Sequence, residues 1–145
     1  MTPQDRAEKS AEALWREDWA SQAMGMEIVS VGEGTAQLRM TVRRDMCNGH
    51  GICHGGMTFT LADSCFAFAC NSRNQNTVAQ HNMISFLAPG REGDVLTATA
   101  SEVELTGRSG IYDIDVTNQD GTTIARMRGM SRAIRGHLFE EGSEE

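Results

Sequence analysis

Residues Met57 to Cys70 read MTFTLADSCFAFAC. Apolar side chains fall on every side of a helix drawn through this stretch, the pattern of a helix buried all round. At 14 residues it is too short to cross a bilayer, which takes about 20 apolar residues. The place for such a helix is inside a curved sheet that wraps it. Asp63 is its only charge. A lone buried carboxylate is costly and tends to stay protonated, and a perturbed carboxyl in a cleft is a candidate for acid–base or nucleophilic chemistry. The plainer alternative is a carboxylate that reaches an edge and is satisfied by backbone donors or an arginine.

The helix is entered through Asn48-Gly49-His50-Gly51-Ile52-Cys53-His54-Gly55-Gly56. A helix N-terminus presents free N–H groups at the positive end of its dipole, and glycine there lets another molecule approach the backbone. That is the arrangement of an oxyanion hole. Gly56 and Asp63 stand seven residues apart, about 10 Å along a helix axis. An attacking carboxylate must lie roughly 3 Å from the reacting carbon, or one water away. One helix cannot set both its own N-terminus and its own Asp63 around one carbonyl. A two-fold dimer can, by bringing Asp63 of one chain beside Gly55 of the other.

Outward from the helix, the pattern predicts strands at both sides. Asp5 to Ala23 reads as a leading helix, with Ala11, Leu14, Trp15, Asp18 and Trp19 at helical spacing, ended by Gly25. Met26 to Val31 and Thr35 to Val42 read as strands, the second alternating cleanly. After the buried helix come strands over Thr77–Leu87, Asp94–Thr106, Ile111–Thr117 and Thr122–Ile134, joined mainly by short turns such as Asp120-Gly121. Consecutive hairpins imply a largely antiparallel sheet and an α+β class. We expect one domain over residues 1–136 and an acidic, flexible tail over 137–145.

The chain has 145 residues and a net charge of −7, with Lys9 its single lysine. An acidic chain is not a non-specific nucleic-acid binder, and no apolar run is long enough for a membrane span. The polar start from Met1 to Glu12 does not read as a signal peptide. With four cysteines, Cys47, Cys53, Cys65 and Cys70, this points to reduced thiols in a cytoplasmic protein. One rival uses Cys47, His50, Cys53 and His54, whose C-x2-H-x2-C-H spacing suggests a compact metal site, although structural zinc sites usually have two separated ligand pairs.

The string N-G-x-x-x-x-H-G-G from Asn48 to Gly56, with Leu-Ala-Asp ending nine residues after His54, resembles the PaaI-type acyl-CoA thioesterases of the hotdog superfamily. Ala67-x-x-Cys70-Asn71-Ser72, Phe86-Leu87-x-Pro89-Gly90 and Gly107-x-x-Gly110-x-Tyr112-Asp113-Ile114 carry the same resemblance, which runs from about Ala23 to Arg135. It implies a hotdog fold, a long helix wrapped by an antiparallel sheet, in dimers that often pair into tetramers. It makes Asp63 the nucleophile or general base, Gly55 the donor of the oxyanion N–H, and Asn48 and His54 residues that shape the site. Gly56 and Ser64 stand beside these. It implies hydrolysis of an aryl-acetyl or ring-hydroxylated phenylacetyl coenzyme A thioester, with no metal and no cofactor. Some relatives hold water with a Ser or Thr on the strand after the helix; Ala79 and Gln80 stand near that place here.

Coenzyme A carries phosphates, so basic residues should line the outer cleft; Arg73, Arg91, Arg108 and Arg132 are the candidates. Met57, Leu61, Phe66 and Phe86 are candidate walls for the acyl group. A second rival is a hotdog protein that binds acyl-CoA without hydrolysing it, or that hydrates it. His50, His81 and His137 receive no role. Trp15 and Trp19 are expected to pack the leading helix or to cap a substrate tunnel.

Overall fold

Thr2 opens the first helix with a reciprocal cap: its hydroxyl accepts from Asp5 N–H at 3.0 Å and the Asp5 carboxylate accepts from Thr2 N–H at 3.4 Å. The computed structural model describes residues 1–142. Its elements are α1 (Pro3–Trp15), α2 (Trp19–Ala23), β1 (Glu27–Gly32), β2 (Thr35–Thr41), a 3₁₀ turn (Arg44–Met46), α3 (Gly55–Cys70), β3 (Thr77–Phe86), β4 (Val95–Thr106), β5 (Ser109–Thr117) and β6 (Thr123–Ala133). The expected single leading helix is two. The break falls before Asp18, which caps α2 by accepting from Ser21 N–H at 3.1 Å. An aspartate at helical spacing was a new helix start rather than part of a continuous face.

The strands form one antiparallel sheet in the order β1-β2-β4-β5-β6-β3. The chain of consecutive hairpins expected after α3 is therefore corrected at one step. β3 and β4 do not pair; β3 lies on the far edge against β6, and the segment between them crosses to β2. The α+β class holds, with the sheet curled around α3.

Leu61, Ala62, Cys65, Phe66, Phe68 and Ala69 of α3 are buried against sheet residues that include Leu38, Leu96, Tyr112, Ile114 and Val116. The Cys65 thiol lies 3.3 Å from the carbonyls of both Ala36 and Ala98, tying the helix to β2 and β4. Phe66 meets Tyr112 at a ring separation of 5.5 Å. It also lies over Gly129, where a Cβ would sit 2.7 Å from the ring. Trp15 packs on Phe68 with ring centres 6.2 Å apart, whereas Trp19 is exposed.

The helix is not covered all round. Gly56 is exposed, and Thr60, Asp63 and Ala67, at the following turns of the same flank, are only partly covered. A single sheet ends at β3 and leaves this flank open. Beyond α3, Asn74 holds the chain end: its Oδ1 accepts from Leu138 and Phe139 N–H at 2.9 and 3.0 Å, and its Nδ2 donates to Glu141 at 2.9 Å. The first part of the tail expected to be flexible is thus pinned, and positions 143–145 lie outside the described residues.

Candidate active site

His54 is the N-cap of α3, and its ring sets the helix entrance. His54 Nδ1 accepts from Gly56 N–H at 2.9 Å, so this nitrogen carries no proton. The His54 carbonyl accepts from the Met57 and Thr58 N–H groups at 2.9 and 3.2 Å. The Gly55 N–H makes no hydrogen bond among the described residues. It is the one donor of the first turn left for a ligand.

Gly55 opens into a cleft of about 490 Å³ walled by Asn48, Ile52, Phe86, Leu87 and Ile124 among others. The Phe86 ring lies over Gly55; a Cβ added there would come within 3.1 Å of it. Asn48 turns its carbonyl oxygen back on its own loop, accepting from His50 N–H at 2.9 Å. That bond fixes the loop that forms one lip of the cleft. A donor at a helix N-terminus above apolar walls suits a carbonyl that becomes an oxyanion, with an acyl chain beside it.

Asp63 lies two turns along α3 and faces β3, where Asn82 Nδ2 donates to its Oδ1 at 2.9 Å. Burial raises the Asp63 pKa, and the Asn82 hydrogen bond opposes that rise. Asn82 was not among the candidate residues. It shares the inward face of β3 with Ile84 and Phe86, a parity visible in the sequence once the strand is placed. Its own Oδ1 is buried without a partner, in space left open by Gly129, where a Cβ would stand 2.8 Å away. Replacing Asn82 with leucine removes the one hydrogen bond that lowers the Asp63 pKa. The acid limb of the kcat/KM–pH profile is then expected to move to higher pH, which a pH-rate series on the variant checks.

The other candidates divide. Ser64 is turned to α2, its hydroxyl 2.7 Å from that of Ser21, and does not face the cleft. Leu61 and Phe66 are core residues and line no pocket. Met57 is partly buried at the first turn of α3, outside the cleft lining. Arg73 is committed to a bidentate pair with Glu102 at 2.6 and 3.0 Å and a further contact with Glu33 at 3.3 Å. Tyr112 donates to the same Glu102 at 2.9 Å, so Arg73 is a brace between the end of α3 and the sheet. Arg91 follows Gly90 at the end of the cleft, and Arg108 and Arg132 lie together at the opposite end of the sheet.

The proposed metal quartet is not assembled. His54 Nδ1 is used by the helix cap, the Cys47 thiol donates to Arg43 O at 3.6 Å, and Cys53 receives the Thr58 hydroxyl at 3.5 Å. Among the described residues no three His, Cys, Asp or Glu side chains come close enough to hold a metal ion.

The family model of the thioesterase superfamily matches residues 50–125, a span that holds His54, Gly55, Asp63 and Asn82. The chain belongs to the thioesterase superfamily. Its similarity to the acyl-coenzyme A thioesterase PaaI of Escherichia coli is 44% identity over 136 residues, covering 94% of this chain and 97% of that one. The solved E. coli PaaI structure, from the phenylacetic acid degradation operon, superposes with a TM-score of 0.92 at 43% identity, covering 94% and 99% of the two chains. A hypothetical thioesterase of Streptococcus pneumoniae, solved with coenzyme A, matches with a TM-score of 0.74 at 26% identity, covering 77% and 88%. This thioesterase-superfamily chain therefore has the hotdog fold, with its wrapped helix entered at the Gly55 cleft.

Proposed function

We propose that this chain is a PaaI-type acyl-CoA thioesterase that hydrolyses aryl-acetyl coenzyme A esters, phenylacetyl or ring-hydroxylated phenylacetyl among them. The observation that carries the reading is the unclaimed Gly55 N–H above an apolar cleft, on the same helix as a pKa-raised Asp63. The Gly55 N–H polarises the thioester carbonyl and holds the oxyanion as it forms. Asp63 either attacks the carbonyl carbon, giving a mixed anhydride that water then cleaves to the free acid and Asp63, or takes a proton from a water that attacks in its place. In either route the C–S bond breaks and the thiolate of coenzyme A leaves with the electron pair. The E. coli relative's name supports the substrate class, and its operon supports the aryl-acetyl group. No helix among the described residues is long and apolar enough to cross a membrane, and we place the protein in the cytoplasm.

The site is completed by a second copy. Gly55 and Asp63 stand eight residues apart on one helix, about 12 Å, too far for one small carbonyl. Asp63 lies beside Asn82 and Gly55 beside Phe86, both on β3. β3 is a sheet edge of ten residues with Val78, Met83 and Phe86 exposed, followed by exposed Leu87, an open template for strand pairing. Antiparallel pairing of β3 with its two-fold copy, centred on Ile84, sets Asn82 of one chain opposite Phe86 of the other. That register carries Asp63 to the partner's Gly55. Pairs of such dimers form the tetramer the reading expects.

Thiol release from a panel of acyl-CoA esters tests the function. The expected result is turnover with phenylacetyl-CoA well above that with acetyl-CoA. Turnover confined to straight-chain esters would overturn the aryl-acetyl assignment, and binding of esters without turnover would favour a non-hydrolytic acyl-CoA binder.

A further inference from the structure

Cys47 and Cys53 stand at the two ends of the loop Asn48-Gly49-His50-Gly51-Ile52, and neither thiol takes part in the thioester chemistry. The backbone sets them face to face, as an antiparallel bridge between the chain entering the loop and the chain leaving it. Two hydrogen bonds flank that bridge: Asn48 N–H donates to Ile52 O at 2.8 Å, and His54 N–H to Met46 O at 2.8 Å. The cysteines do not bond each other's backbone; Cys47 N–H donates to Arg44 O at 3.0 Å and Cys53 N–H to Gly90 O at 2.7 Å. This is the non-hydrogen-bonded site of an antiparallel pair, where facing Cα atoms stand about 4.5 Å apart and both side chains leave on the same side. A disulfide spans Cα separations of about 4.4–6.8 Å, so rotation of the two side chains can join these sulfurs with the backbone in place.

The two thiols differ as an attacking and a resolving cysteine must. Cys47 is partly exposed, and Cys53 is buried in the wall of the cleft. Burial raises the Cys53 pKa against the hydrogen bond from Thr58, and Cys47 nearby raises it further. Cys53 is therefore slow toward an oxidant from outside, and Cys47 meets it first. Cys65 and Cys70 lie buried in α3, where burial pushes both thiols up to about 12 and leaves them inert. The pair also borders the oxyanion donor. Cys53 precedes His54, the cap of α3, and Gly55 follows. The Cys53 sulfur accepts from Thr58 Oγ1 at 3.5 Å in the first turn of α3, and the Cys47 thiol donates to Arg43 O at 3.6 Å. Both contacts must break for the sulfurs to meet.

We propose that Cys47 and Cys53 are a redox modification site, forming a reversible disulfide at the lip of the cleft that switches the site off. Cys47 gives up its proton and its sulfur attacks one oxygen of a peroxide; the O–O bond breaks, hydroxide leaves and takes up that proton, and Cys47 is left as a sulfenic acid. Cys53 then gives up its proton, its sulfur attacks the Cys47 sulfur, the S–O bond breaks and water leaves. With hydrogen peroxide, two thiols and one peroxide become one disulfide and two waters; the sulfurs are oxidised and the peroxide oxygens reduced. A dithiol returns both electrons and both protons. The new bond pulls Cys53 from Thr58 and draws the entrance of α3 with it, and displacing a positioned group by about 1 Å can cost about 10²-fold in rate. Where thiols are kept reduced, disulfides of this kind are transient and report oxidant. The loss of turnover rests on the thioesterase reading above; the disulfide does not.

The test treats the reduced full chain with hydrogen peroxide, and tandem mass spectrometry of a non-reduced peptic digest locates the bond. The expected result is loss of two hydrogens through a Cys47–Cys53 bond within one chain, shifted Gly55 and Gly56 amide resonances, and thioester turnover lowered about tenfold or more, all restored by dithiothreitol. Cys47→Ser should keep the turnover of reduced wild type and hold it through the same peroxide treatment; Cys47→Ala should do the same if serine disturbs the loop. No bond, a bond to Cys65 or Cys70 or between chains, or Cys47 carried to the sulfinic acid in its place would overturn the pair. A Cys47–Cys53 bond that leaves turnover unchanged would overturn the switch, as would cysteine variants as sensitive to peroxide as wild type. A wild type that forms the bond and shifts these amides but hydrolyses nothing, reduced or oxidised, would leave the dithiol standing and sink the thioesterase reading.

Discussion

Asp63→Asn is expected to lower thioester hydrolysis by about 10² or more in kcat while leaving the fold intact. Asparagine keeps the size of the side chain and can still accept the Asn82 hydrogen bond through its Oδ1, so packing on β3 is preserved. What it cannot do is attack a carbonyl or take a proton from water. Steady-state kinetics at equal folded concentration measure the loss. Activity that survives the substitution would remove Asp63 from the mechanism.

The same variant should be more stable than wild type at neutral pH. Burial raises the Asp63 pKa above its value in the unfolded chain, so the native state holds the proton more tightly. Stability contributed by the protonated form is full below the unfolded pKa and is lost as pH rises through the folded one. Above that, wild type carries a half-buried charge and asparagine does not. The melting temperature of the variant is therefore expected to exceed that of wild type near pH 7, with the gap closing in acid. A catalytic group held at a cost to the fold behaves in this way; a carboxylate placed for stability would show the opposite sign.

Gly55→Pro is expected to cost about 10² or more in kcat, because proline deletes the one N–H proposed as the oxyanion donor. The substitution suits this position. Gly55 is the first residue of α3, where proline is tolerated, and the preceding His54 has φ −59 and ψ 134, an extended conformation compatible with a following proline. The added ring atoms meet the Phe86 side chain, 3.1 Å from the position of a Cβ at Gly55. Gly55→Ala adds the same Cβ but keeps the N–H, so it isolates the donor from the crowding. Alanine should retain most of the activity that proline loses. Equal losses in the two would mean that room beside Phe86, and not the N–H, is what the site needs.

Much of this is legible in the sequence. MTFTLADSCFAFAC announced a wrapped helix, and strand alternation located the sheet segments to within a residue or two. What local pattern could not give was neighbourhood. Periodicity does not say which strand lies beside which, so the placement of β3 on the far edge was missed, and with it the pairing of Asn82 with Asp63. β3 also carries an irregularity between Ala79 and His81, so the parity of its first residues does not continue into the inward run of Asn82, Ile84 and Phe86, which shows only once the strand is placed. Arg73 failed as a phosphate ligand for a similar reason. Its two acids, Glu33 and Glu102, are distant in sequence and come together only when β1, β2 and β4 pack against the end of α3. Asp18 is a residue type suited to a helix cap, but it stands at helical spacing from Trp15, which hides the start of α2 in the pattern of α1.

The central claim is that neither copy owns a complete site. The direct measurement is complementation between Asp63→Asn and Gly55→Pro chains, each inactive alone, unfolded together and refolded as a mixture. Random pairing makes half the dimers mixed, and each mixed dimer holds one site with both Asp63 and the Gly55 N–H intact, so the account predicts recovery of about a quarter of wild-type activity. A mixture no more active than its parents, with mixed dimers present, would contradict the shared site.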